Sequence, residues 1–236
     1  MKSTIFSRTF HTLFLSAFCI IASAAITSHK SHKNIKRQYD GIDVSHHQGK
    51  IDWKEVAKDK QIKFVYIKAT QGTSIKDKNY EQNIKGARRQ GLRYGSYHYL
   101  SCLTSVRSQF RNFQKAMRGH KQDLIPMIDI EHEGVKRWSK KQVQDSVALF
   151  AKLIERKYGK KPLIYSHVNF YNSHLTPRYN KYFLFLSRYS SERPSIKGVG
   201  RHNIWQFTDR GRVRGIHGNV DLDRFMSGTS LSSIRL

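Results

Sequence analysis

The stretch Leu124-Ile125-Pro126-Met127-Ile128-Asp129-Ile130-Glu131 reads as a buried strand that ends in two carboxylic acids. Side chains on a strand alternate between faces, so Met127, Asp129 and Glu131 share one face while Ile128 and Ile130 share the other. Two acids at the end of an apolar strand cost desolvation unless they have a task or reach solvent. The task such a pair suits is glycoside cleavage, which needs one carboxyl as an acid and another as a base or stabiliser. The alternative is a plain strand end whose acids are solvated.

Working outward, strand-like and helix-like segments alternate along the chain. Residues 41–45 form a short strand, and Asp52 caps a helix start over 52–57. Ile62–Ala69 is β-branched and aromatic, hence a second strand. Residues 78–90 read as a helix ending at Gly91, Tyr94–Tyr99 as the third strand, and 104–118 as a helix. After the fourth strand, residues 139–158 form a long amphipathic helix with Val143, Val147, Phe150, Ala151 and Ile154 on one side. Pro162–Ser166, Tyr182–Leu186, Asn203–Phe207 and Asn219–Leu222 supply four more strands. Eight strands with helices after the early ones predict an α/β fold, an irregular (β/α)8-like barrel whose final third is β-rich. Active sites of such barrels lie at the C-terminal ends of the strands. Asp43, Lys68, Tyr97, Asp129, Glu131, Tyr165, Trp205 and Asp221 are all expected at or near such ends.

The chain has 236 residues and a formal net charge of +26. That field favours polyanions such as nucleic acid, anionic lipid surfaces or acidic envelope polymers, and it names no chemistry. Lys2 and Arg8, the apolar run Leu13–Ala22 and the Ala22-Ser23-Ala24 pattern resemble a secretory leader over residues 1–24, cut near Ala24. The product would be secreted or periplasmic, and the alternative is an N-terminal membrane anchor. Residues 25–38 are polar and basic and read as a linker, 39–228 as the folded domain, and 229–236 as a C-terminal tail. The two cysteines are Cys19, in the leader, and Cys102. One remaining thiol excludes an intramolecular disulfide and a zinc–thiolate site, and Cys102 reads as a small buried hydrophobe.

The stretch Tyr39–Gly49 followed by Ile51-Asp52-Trp53 resembles the opening of the glycoside hydrolase family 25 muramidases. Phe64–Thr70, Gly95–Tyr99, Pro126–Glu131, Leu163–Ser166, Ile204–Phe207 and Val220–Phe225 are similar to further family motifs and follow in family order. The resemblance covers residues 39–228. It implies a secreted lysozyme acting on the β-1,4 bond between N-acetylmuramic acid and N-acetylglucosamine of bacterial peptidoglycan. It implies Glu131 as general acid and Asp129 as its partner, orienting a substrate acetamide. Asp43 and Asp221 would complete the acidic cluster, and Tyr97, Tyr165 and Trp205 would line the sugar groove. Lys68 and Gln71 are expected to contact substrate. Two positions depart from the family pattern: Gln71 stands where Glu is common, and Phe185 where Trp is frequent. No cofactor, metal or specific nucleic-acid partner is expected, and the protein is expected to be a monomer.

Two other classes stay open at this level. A metal-dependent nuclease could use the same four acids with the basic surface, and a chelator separates it from a muramidase. A non-catalytic peptidoglycan-binding module would bind the wall without cutting it. His46-His47 reads as a solvated loop.

Overall fold

The computed structural model describes residues 39–236. The leader and the basic linker lie outside the described residues. The first strands are β1 (Gly41–Val44), β2 (Phe64–Gln71), the two-residue β3 (Ile75–Lys76) and β4 (Tyr94–Tyr99). They are followed by β5 (Met127–Asp129), β6 (Leu163–His167), β7 (Phe183–Ser187), β8 (Ile204–Gly211) and β9 (Val220–Phe225). The helices are α1 (Trp53–Val56), α2 (Tyr80–Arg89), α3 (Val106–Ala116), α4 (His132–Val135), α5 (Lys140–Tyr158) and α6 (Val168–Phe170).

Eight of the strands close into a barrel in the order β1, β2, β4, β5, β6, β7, β8, β9, with β9 returning to β1. The ninth, β3, folds back antiparallel on the end of β2, where it pairs Ile75 with Gln71. It was not expected, and two residues carry too little pattern to reveal it. Apart from β3, strands β1 to β8 pair in parallel around the barrel, whereas β9 runs antiparallel to both of its neighbours. The (β/α)8-like barrel is therefore present. Its last part is β-rich, because β8 and β9 are joined without an intervening helix.

Alternation along each strand sorts the core into two shells. Phe64, Tyr66, Met127, Leu163, Phe185 and Ile204 fill the barrel interior. Val65, Ile67, Ile128, Ile164, Leu184 and Leu186 face the helices. Each fully buried side chain of this size contributes about 1.5–3 kcal/mol relative to an exposed one. Gly41 lets the interior close: a Cβ there would lie 2.3 Å from the Phe64 ring. The long helix α5 begins with Ser139 and Gln142 capping one another's backbone and ends at Gly159, which is left-handed with φ 73°.

The segment 229–236, read from sequence as a tail beyond the domain, is part of the barrel. Leu231–Ile234 form a 3-10 turn, and Ile234 is fully buried with the interior residues Leu124 and Ile125. The backbone N–H of Ile125 donates to the Ile234 carbonyl at 2.9 Å. The floor of a small barrel exposes the apolar feet of its strands, and this segment covers them. Cys102 is half-buried on the loop after β4, more exposed than the sequence implied. Among the described residues, no helix is long and apolar enough to cross a membrane.

Candidate active site

The strand ends at the barrel mouth surround a cleft of about 230 Å³. Asp43 of β1, Lys68 of β2, Tyr97 and Tyr99 of β4, Asp129 of β5 and Tyr165 of β6 line it, together with Glu131 and Asp221. Strand β5 stops at Asp129, and Glu131 sits one step beyond, in extended conformation at the entry to α4. The alternation expected from sequence persists through it, so Met127, Asp129 and Glu131 all face the cleft. Asp221 reaches the mouth for another reason. It lies near the start of β9, opposite Asp43, and only the reversed direction of that strand puts its beginning at the mouth.

The carboxyls crowd one another. Burial, reinforced by the Glu131 charge and opposed by a hydrogen bond from Gln206, pushes Asp43 up to about 7. Burial and the Asp43 charge push Asp221 up to about 9. Asp129 is held well above the ordinary carboxylate range by burial and by Glu131, with Lys68 opposing. Glu131 is also raised by burial, again with Lys68 pulling the other way. A site with this charge density keeps protons on some of its acids near neutral pH, as a general acid requires.

A hydrogen-bonded frame fixes the cluster. Gln206 Nε2 donates to Asp43 Oδ2 at 2.7 Å, and Gln206 Oε1 accepts from the hydroxyls of Tyr165 and Tyr189, each at 2.8 Å. Beneath it, Asp223 is fully buried, and neither of its oxygens finds a donor among the described residues. Its carboxyl meets that of Asp43. Burial, with the Asp43 and Asp221 charges beside it, holds Asp223 well above the ordinary carboxylate range. Asp129 Oδ1 is likewise buried without a partner, a free acceptor at the wall of the cleft.

Trp205 is the misplaced candidate. Its indole packs on the outer side of β8 against Phe207, and its Nε1 donates to the Arg188 carbonyl at 2.9 Å. Parity decides this: in Ile204-Trp205-Gln206 the outer residues of the triplet face inward, so Gln206 takes the place assigned to Trp205. Gln71 does not line the cleft either. It accepts from Lys68 Nζ at 3.1 Å in a shallow adjoining pocket, while the Lys68 ammonium lies 4.7 Å from the centre of the Tyr99 ring. Phe185 is fully buried below the cleft, edge-on to Tyr165 at 5.4 Å.

Tyr99, Tyr189, Gln206, His47 and Asp223 were not singled out from sequence. Tyr99 shares parity with Tyr97, and Gln206 is the one polar residue within Ile204–Phe207, so both carried a signal. Tyr189 carried none, because its place depends on a contact across the barrel mouth. His46 and His47 begin a 3-10 turn capped by Ser45. His46 is tied to Asp77 at 2.7 Å, and His47 borders the cleft. Among the described residues, no group of three or more His, Cys, Asp or Glu side chains has metal-holding geometry.

Residues 42–216 match the model of the glycosyl hydrolases family 25. The chain belongs to this family. The hydrolase is 36% identical over 189 residues to the Escherichia coli protein YegX, covering 78% of this chain and 68% of that one. It is 33% identical over 190 residues to an autolytic lysozyme of Clostridium acetobutylicum, covering 80% of this chain and 56% of the relative. Its fold superposes on the bacterial lysozyme of Streptomyces coelicolor with a TM-score of 0.74 at 28% identity, over 81% of this chain and 93% of that one. The family 25 hydrolase is thus a glycoside hydrolase, and its acid-lined cleft stands at the mouth of a lysozyme-type barrel.

Proposed function

We propose that this family 25 hydrolase is a muramidase that cleaves the β-1,4 bond between N-acetylmuramic acid and N-acetylglucosamine in bacterial peptidoglycan. The observation that carries the roles below is the pairing of a half-buried Glu131 with a buried, partnerless Asp129 oxygen on one wall of the cleft. Glu131 donates its proton to the glycosidic oxygen as the bond to the anomeric carbon breaks. Asp129 accepts from the N–H of the muramic acid acetamide and turns the acetamide carbonyl oxygen onto that carbon, closing a cyclic intermediate. Water then attacks the same carbon. Its proton passes to the Glu131 carboxylate, and the acetamide is restored. Asp129 also stabilises the positive charge that develops on the sugar, and Asp43 and Asp221 complete the acidic cluster around it. Tyr97 and Tyr165 border the bound ring, and Lys68, steadied by Gln71, sets the charge state of the two acids. The hydrolase acts as a monomer outside the cytoplasmic membrane, secreted or periplasmic after loss of the leader.

The test is release of reducing ends from purified peptidoglycan by the wild type and by Glu131→Gln, with and without EDTA. New ends at N-acetylmuramic acid that survive EDTA and vanish in the variant support the reading. Binding without cleavage by the folded wild type makes the protein a wall-binding module. Loss of activity with EDTA revives the metal-dependent alternative.

A further inference from the structure

The charge of this chain is unevenly displayed on the barrel wall. Helix α3 buries Val106, Gln109, Phe110, Phe113 and Ala116 against the barrel. That spacing turns Arg107, Arg111 and Lys115 outward in one line, four residues apart, and Arg118 extends the line in the turn beyond the helix. Four residues of helix rise about 6 Å, so the line presents a cation roughly every 6 Å. α3 contains no acid, and among the described residues none of the four cations has a carboxylate within ion-pairing distance. Like α2, α3 packs on β2, and α2 adds exposed Lys85, Arg88 and Arg89. The one acid of α2, Glu81, is already held by Lys76 at 2.6 Å and His120 at 2.9 Å. Helix α5 differs, because Asp145 and Glu155 interrupt its exposed lysines and arginines.

We propose that the outer face of α2 and α3 is a docking surface for a linear phosphate-bearing polymer. Like charges held in a row on a rigid helix repel one another, and a polyanion laid along the row relieves that repulsion and releases its own counterions. Arginine, which supplies three of the four cations of the α3 line, grips phosphate oxygens bidentately. A lipid surface fits this face less well. Helices that lie on membranes interleave cations with large apolar residues, whereas the positions between these cations are Ser108, Asn112 and Gln114. The face is separate from the barrel mouth, so its occupancy is read without reference to hydrolysis.

The experiment measures binding of the full chain to long-chain inorganic polyphosphate across a salt series. Three proteins are compared: the wild type, the R107Q/R111Q/K115Q/R118Q variant, and a K140Q/K152Q/R156Q/K157Q variant that removes equal charge from α5. Circular dichroism melts establish that all three are folded. The proposal expects the α3 variant to lose at least tenfold in affinity and its salt slope to flatten by about 3, with the α5 variant within about twofold of wild type. Equal losses in both variants, or no binding by the wild type, overturn it. Tighter binding to phosphatidylglycerol vesicles than to polyphosphate, abolished in the α3 variant, also overturns it and makes the face a membrane contact.

Discussion

Gln206 joins the two sides of the barrel mouth: its amide nitrogen holds Asp43 at 2.7 Å while its amide oxygen receives the Tyr165 hydroxyl at 2.8 Å. One neutral side chain thereby orients a carboxyl on β1 and an aromatic on β6. Substituting Gln206→Leu removes a hydrogen bond to an ionisable group, worth about 1.5–3 kcal/mol. The expected result is a fall of roughly 10- to 100-fold in kcat/KM on peptidoglycan fragments, mostly in kcat. An unchanged kcat would show that Asp43 needs no such support.

Trp205 is buried on the outer side of β8, away from the cleft, so its loss acts on stability and not on the groove. Trp205→Ala is expected to cost about 3–5 kcal/mol of folding free energy. The kcat/KM of the folded fraction stays within about twofold of wild type. A thermal melt and an activity assay at low temperature check both halves, and a selective rise in KM would restore Trp205 to the groove.

The C-terminal segment seals the barrel floor. Ile234→Ala is expected to cost about 2–5 kcal/mol and to lower Tm by on the order of 10 °C. Deleting residues 229–236 is expected to destabilise the hydrolase further. A melt indistinguishable from wild type would show that the floor closes without this segment.

Stability should fall as pH rises. The folded-state affinity of Asp43 for its proton is raised by burial from the ordinary carboxylate value to about 7, and burial raises Asp223 well above that ordinary value too. Between pH 4 and the folded-state value these two carboxyls bind more protons in the native chain than in the unfolded one, so their contribution makes unfolding easier with each step up in pH. Below about pH 6.5 the buried His98, lowered to about 4, works in the opposite direction, so the decline in Tm is expected above that pH, through pH 7 and beyond. Asp223→Asn keeps the shape of the side chain without a titrating proton, so it should flatten the alkaline part of the decline. A steeper decline in that variant would contradict a raised Asp223.

Much of this hydrolase was legible in its residues because alternation is a local property. The apolar and acidic residues of 124–131 predicted a strand that carries Asp129 and Glu131 on one face, and both acids stand at the cleft even though the strand itself ends at Asp129. The helix over 139–158 was visible in its apolar period and appears as α5 over Lys140–Tyr158. Which of the two faces looks inward is not local. Ile204-Trp205-Gln206 alternates equally well either way, and only closure of the barrel turned Gln206 in and Trp205 out. Strand direction is also decided by the whole. Asp221 lies near the beginning of β9, and the antiparallel pairing with β1 and β8 carries it to the mouth beside Asp43. The buried Asp223, the bond from Tyr189 to Gln206 and the sealing of the floor by Ile234 join residues far apart in the chain. The sequence alone determined the eight barrel strands, their order and the acids available, because propensity and periodicity act over a few residues. The tertiary structure decided which acids meet and which of them keep a proton, because burial and charge proximity exist only once the barrel has closed.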